Sequence, residues 1–305
     1  MSQIPTMVSD VASGEPRAEA TPRAPAFDFE RILKSPALIP GLILAVSLCL
    51  VFWTMVQFLP NLWQSEDGYY SHGWLIPAMS GVLIWRWWPK LSQLPAKPFW
   101  PALIPLAACL WVTRVAHINT TYALLSVCFI GTIICGVWFV AGFRWALLTS
   151  PAVLYLAFGL PLWESFINLY TNPLQIHSTE ISYQLLQAFG FDPYRDSPTV
   201  IIVNSFMLNV DVPCSGLKLL LALSAFSVFF VLYSRLKLWA NAILLAMIVP
   251  LAIFINGLRI ALIGVVGEMY GEDAGMKFHD YSGYITLLVC FFILFKTARL
   301  LGWKD

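Results

Sequence analysis

Charge is what this chain has least of. Of its 305 residues, 11% are Asp, Glu, Lys or Arg while 59% are hydrophobic. A soluble domain carries about 25% charged residues, so too little charge is present here to cover a water-facing surface. The net charge of +1 offers no footing for nucleic acid, which is drawn to strongly basic patches. Histidine is scarce as well: four residues and no H-E-x-x-H spacing, so no metal site and no cofactor are expected. No internal repeat is evident. The six cysteines do not make a disulfide framework either. Cys49, Cys109, Cys128, Cys135 and Cys290 sit inside apolar runs, where a free thiol packs as a small hydrophobe. Cys214 alone stands at a boundary.

What the chain does have is apolar length. Stretches of roughly 18 residues or more recur, as a bilayer demands. Hydropathy places about eight spans, near 37–59, 73–88, 99–116, 119–142, 145–163, 215–233, 238–258 and 280–297. The fold class expected is an all-α polytopic membrane protein. Residues 1–35, rich in Pro, Ala and Ser, read as a disordered cytoplasmic tail ahead of an integral membrane domain at 36–305. A cleaved signal peptide is not expected, because the first apolar segment starts late, is too long and lacks an Ala-x-Ala exit. With the N-terminus inside, thirteen of the 18 Lys and Arg residues fall on the inner side. Arg114, Arg195, Lys218, Arg259 and Lys277 fall outside. That asymmetry satisfies the positive-inside rule and puts both termini in the cytoplasm.

The one long loop, 164–213, is then external. Leu174, Ile181, Leu185 and Phe189 share a helical stripe, which reads as a small helix lying on the membrane surface. After FDPYRDSP, the runs TVIIV and FMLNVDV flank Asn204-Ser205 and read as a β-hairpin. The hairpin leads straight into Pro213-Cys214, at the start of the sixth span.

Three polar residues reach one depth. Cys214 lies 21 residues before Arg235, Arg259 lies 22 after Lys237, and His279 lies 17 before Lys296. At the helical rise these are about 32, 33 and 26 Å, against a hydrocarbon core of roughly 30 Å. Taken singly, each has a plain explanation: a packed thiol, a snorkelling arginine, an interfacial histidine. Taken together they are a nucleophile, a cation and a base, the parts of a cysteine acyl-transfer enzyme. Ser215 can cap the following helix, whose N-terminal end favours a thiolate at Cys214. Gly216 clears space for a substrate backbone. Asn256 shares a helical face with Arg259 and could orient it. Gly257 and Pro250 suggest a break in the seventh span. His72, at the mouth of the second span, could serve as base or bind substrate, although an interfacial histidine is the plainer reading.

The blocks PCSGLK at Cys214, NGLR ending in Arg259 and HDYSG starting at His279 resemble those of the exosortase/archaeosortase family, and SHGWLIP at residues 71–77 is similar to another of its blocks. The resemblance covers roughly 60–300. It implies a multi-spanning cysteine transpeptidase or protease of the bacterial inner membrane, with Cys214, Arg259 and His279 in the catalytic roles and the site on the periplasmic face. The implied partners are the lipid bilayer and membrane-anchored proteins with a C-terminal sorting tail: a short motif (Pro-Glu-Pro in the best-known class), one span and a basic cluster. An amine, glycan or lipid acceptor would resolve the thioester. The rival class is a transporter or flippase for a polysaccharide or lipid-linked precursor, which would gather its polar residues at mid-depth.

Overall fold

The computed structural model describes residues 38–65, 68–204, 206–234 and 236–303. The expected tail at 1–35 and the depth marker Arg235 lie outside them. Within a bilayer a helix bonds its own N–H and C=O groups, and the apolar runs fold accordingly. In chain order the helices are α1 (Leu38–Val51), α2 (Trp53–Gln64), α3 (Leu75–Leu91), α4 (Leu103–Ile118), α5 (Tyr122–Ala141), α6 (Phe143–Tyr155), α7 (Glu164–Ala188), α8 (Leu217–Ser234), α9 (Leu238–Ala246), α10 (Ile248–Tyr270) and α11 (Glu272–Leu300).

Five helical stretches among the described residues are long and apolar enough to cross a membrane. The number rises to seven if α1 with α2, bent by 72°, and α6 with α7, bent by 58°, each make one crossing. The eight spans read from hydropathy include 73–88. That stretch is α3, whose 17 residues fall short of the roughly 20 that a bilayer takes.

The bend between α6 and α7 would strand carbonyls, because the helix ends in a short 3-10 turn, Leu156–Gly159. Three side chains supply donors here, two of them to carbonyls the turn leaves open and one to Ala157, which also accepts from Leu160 N–H. Trp163 Nε1 donates to the Ala157 carbonyl at 2.9 Å, His72 Nε2 to Phe158 at 3.1 Å and Trp63 Nε1 to Gly159 at 2.7 Å. A carbonyl can only accept, so the His72 proton sits on Nε2.

The loop after α7 holds a three-stranded antiparallel sheet in the order β1-β2-β3, with β1 at Pro193–Ser197, β2 at Val200–Val203 and β3 at Phe206–Asn209. Val203 pairs with Phe206 across the turn, and Asn204 takes φ +48° there, a left-handed conformation that Asn tolerates. The hairpin read from the sequence is β2–β3, and β1 is an addition to it. PYRDS shows no apolar alternation. It is drawn in by the β2 ladder and by the Arg195–Glu180 ion pair at 2.5 Å. One face of the sheet, made of Ile201, Val203, Leu208 and Val210, is buried against Leu186 of α7 and Ile260, Ala261 and Ile263 of α10.

Two expectations change here. The helix at 164–188 packs along α10 and buries Ile167, Leu174, Ser178, Thr179, Ser182 and Leu186, so its inward face mixes small polar with apolar groups rather than being purely apolar. Nor is there a break at Gly257: α10 runs unbroken over 23 residues. The interruption lies nearer Pro250: within the one long span Leu238–Tyr270 the helix is broken at Met247, between α9 and α10, and Pro250 lacks the N–H that would bond back to Ala246. Gly257 serves close approach instead. A Cβ there would lie 2.6 Å from Ile181 Cγ2 and 2.8 Å from Ile181 Cβ, so the glycine is what lets α7 and α10 touch. Gly257→Ala is expected to cost about 1–3 kcal/mol by overpacking, seen as a lowered thermal midpoint in detergent. Gly81→Ala, on α3 with nothing within 4 Å of the added carbon, is expected to leave the midpoint unchanged or slightly raised.

Candidate active site

Beyond β3 the chain turns once, as a 3-10 segment at Val212–Cys214. Cys214 N–H donates to the Asp211 carbonyl at 2.8 Å and Ser215 N–H to Val212 at 3.1 Å. Ser215 Oγ accepts from Leu217 N–H at 3.3 Å, capping the first turn of α8. The turn closes at Gly216 with φ +86°, and a Cβ there would lie 2.9 Å from Asn256 Cγ. The space that the sequence suggested for substrate is thus filled by Asn256.

Asn256, 1% exposed, holds this turn from α10. Its Nδ2 donates to the Cys214 carbonyl at 2.8 Å and to Ser178 Oγ at 3.0 Å. Ser178 Oγ in turn donates to the Ser215 carbonyl at 3.3 Å. Two buried carbonyls that the turn leaves unbonded therefore find donors on α10 and α7, as buried backbone must. The i, i+3 spacing does put Asn256 and Arg259 on one face, but Asn256 acts on the thiol turn and not on the guanidinium.

Cys214 Sγ lies 2.9 Å from His279 Nε2. The other ring nitrogen, Nδ1, lies 3.3 Å from Asp280 Oδ1, whose side chain is 71% exposed. Arg259 comes across from α10. Its Nε donates to Ser282 Oγ at 3.0 Å and its Nη2 to the His279 carbonyl at 3.2 Å, and Ser282 Oγ also donates to that carbonyl at 3.0 Å. With those two bonds made, three of the five guanidinium N–H groups are left for other acceptors. Cys214, Arg259 and His279, carried by the turn before α8, by α10 and by α11, therefore meet in one cluster. Ser282 stands inside the block that the sequence singles out. Ser178 has no signal beyond a Ser-x-x-x-Ser spacing on α7, and the sequence reading missed it.

His72 is used elsewhere. It is 6% exposed, its Nε2 is committed to the Phe158 carbonyl, and its Nδ1 is buried with no partner among the described residues. Burial pushes its pKa down to about 4, a shift opposed by the bond to Phe158 and reinforced by the charge of Lys218. The ring is neutral in the folded protein.

A polytopic membrane protein that sets a thiol against an imidazole, with a guanidinium pinned alongside, has the makings of a cysteine acyl-transfer enzyme. The chain belongs to the transmembrane exosortase family, whose family model matches residues 63–296. The resemblance read from PCSGLK, NGLR and HDYSG holds at that level. Membership implies a membrane cysteine transpeptidase or protease acting on sorting signals. No curated protein and no solved structure matches the chain.

Two outcomes follow from this geometry. Asn256→Ala removes both donated bonds and is expected to cost about 1–3 kcal/mol. It should also change the alkylation rate of Cys214 by a small thiol reagent, which a remote destabilising change of equal size would not. For His72 the sign is set by a folded-state pKa of about 4 below the ordinary 6.5. The unfolded chain binds the extra proton first, so stability present above pH 6.5 is lost progressively as the pH falls towards 4. A thermal midpoint followed across that window should drop in the parent and drop less in His72→Gln, and equal slopes would contradict the assignment.

Proposed function

We propose that the chain is a cysteine transpeptidase or protease that removes the C-terminal sorting tail of exported proteins, the tail being a short motif of the Pro-Glu-Pro kind, a span and a basic cluster. The observation that most supports this reading is the Sγ–Nε2 contact of 2.9 Å between residues 65 apart in sequence. With the imidazole proton on Nδ1, towards Asp280, Nε2 offers a lone pair to the thiol. His279 takes the Cys214 proton, and the thiolate attacks the scissile carbonyl carbon. The spare N–H groups of Arg259 donate to the resulting oxyanion. As the tetrahedral adduct collapses, His279 Nε2–H protonates the leaving amine and the C–N bond breaks. The tail departs with a new N-terminus, and the remainder stays as a thioester on Cys214. An acceptor amine or a water molecule then attacks the thioester, gives its proton to His279 and restores the thiol.

The reading places this chemistry at the periplasmic face of a bacterial inner membrane, with both termini cytoplasmic. Its basis is the thirteen-to-five distribution of Lys and Arg, which fits the positive-inside rule. A substrate's own span, lying among the helices, would bring its scissile bond to that interface. A transporter or flippase gives no reason for a thiol and an imidazole to be in contact.

The test is processing of a co-expressed, tail-bearing substrate, followed by gel shift. Cys214→Ala is expected to abolish processing. His279→Ala should slow it by roughly 10²–10⁴-fold, the usual contribution of a positioned acid–base group. Arg259→Lys should slow it by about 10²-fold or more, because the ammonium cannot hold Ser282 and the His279 carbonyl while still donating to an oxyanion. If the Cys214→Ala protein trims the substrate at the parental rate, the mechanism is wrong.

A further inference from the structure

The two edges of the small sheet are built differently. The outer edge of β1 carries the usual guards against a further strand. Pro193 lacks an N–H, a bulge separates Arg195 from Ser197, and Asp196 adds charge. The Arg195 side chain covers the end of that edge, bonding the carbonyls of Ser197 at 3.4 Å and Pro198 at 3.0 Å. The β3 edge has none of these. Its sequence is Phe206, Met207, Leu208, Asn209, with no proline, charge or bulge.

The register says which groups this edge offers. Val210 N–H donates to the Thr199 carbonyl, and bonded and non-bonded pairs alternate along an antiparallel ladder. Leu208 with Ile201 and Phe206 with Val203 are therefore the bonded pairs. The N–H and C=O groups of Met207 and Asn209 point away from β2, and among the described residues none of these four backbone groups has a partner.

This edge leads to the thiol. Cys214 lies five positions after Asn209, at most about 17 Å of chain. Leu208, Val210 and Cys214 are buried in one cluster, and Phe278, the residue before His279, packs against it. We infer that β3 is the docking edge for substrate: the extended stretch of the substrate protein just ahead of its C-terminal span adds as a fourth strand beside β3. Main-chain bonds to Met207 and Asn209 would hold every second substrate residue and leave the scissile bond beside Cys214. The inference rests on the reaction proposed above and names how its substrate is gripped. It also accounts for the contrast between the edges, since an edge that must accept one partner has to stay unguarded while the other is closed.

The test uses the full-length Cys214→Ala protein in lipid nanodiscs and a peptide taken from a tail that the processing assay accepts. Met207→Pro, added to that background, deletes one outward N–H without touching the ladder, and proline is tolerated at such edge positions. Binding is expected to weaken roughly three- to tenfold, the worth of one backbone hydrogen bond. Met207→Ala, which keeps the N–H, is expected to bind as the parent does. In the Cys214-containing protein, Met207→Pro should leave alkylation of the thiol unchanged, which shows the site intact. Should that variant fail to fold, peptides with single amide-to-ester replacements decide, with losses expected at alternating positions only. Parental affinity in a folded Met207→Pro protein, an equal loss in Met207→Ala, or ester losses without a period of two would each overturn the docking edge while leaving the Cys214 chemistry standing. A tail that is processed by the Cys214→Ala protein sinks the chemistry instead.

Discussion

A carbonyl that water cannot reach has to be given a donor by the protein, and this molecule meets that requirement with side chains at two of its irregular places. At the joint between α6 and α7, Trp163, His72 and Trp63 bond three successive carbonyls. At the thiol turn, Asn256 and Ser178 bond two more. Both places are irregular backbone inside an apolar protein, where an unpaired backbone group costs several kcal/mol. The candidate site has its geometry because the turn between β3 and α8 is held in a defined shape, with Cys214 at its corner.

The hydrogen bonds around the cluster divide the work. Asn256 and Ser178 act on the backbone beneath the sulfur, while Ser282 and the His279 carbonyl act on Arg259. Cys214 and Arg259 are thus held from elements other than those that carry them, whereas the His279 ring leans on Asp280 of its own helix. Preorganisation of this kind reduces what must be reordered when charge develops in the transition state. The guanidinium is fixed on the same stretch of α11 that carries His279, so the two keep their spacing whatever the thiol turn does.

Much of this could be read from the sequence, for a physical reason. A Cys, an Arg or a His at the edge of an apolar run stands out, because burying or half-burying such a group is costly without a use for it. Helical spans announce themselves in the same way. What stayed illegible depends on contacts that hydropathy does not weigh. Ser178 is one hydroxyl on a helix whose mean character is ordinary, and only its neighbour Asn256 gives it meaning. Gly257 reads as a break in isolation, yet it is a point of contact once Ile181 is seen against it. β1 has no strand pattern of its own and takes its conformation from β2. The dividing line falls between properties of single residues and properties of pairs distant in the chain.

One helix gathers those distant pairs. Along α10, Gly257 receives Ile181, Gly264 receives Leu208 and Leu186, and Gly267 receives Phe206, while Asn256 and Arg259 reach the thiol turn and α11. Every part of the cluster is therefore indexed to the same rod. A bilayer that thins or thickens tilts a span to match, and tilting α10 carries the sheet, the turn and the base along with it. The distances within the cluster stay fixed while its depth in the lipid changes. Under the reaction proposed above, membrane thickness would act on which bond of a substrate is presented and not on the distances within the cluster.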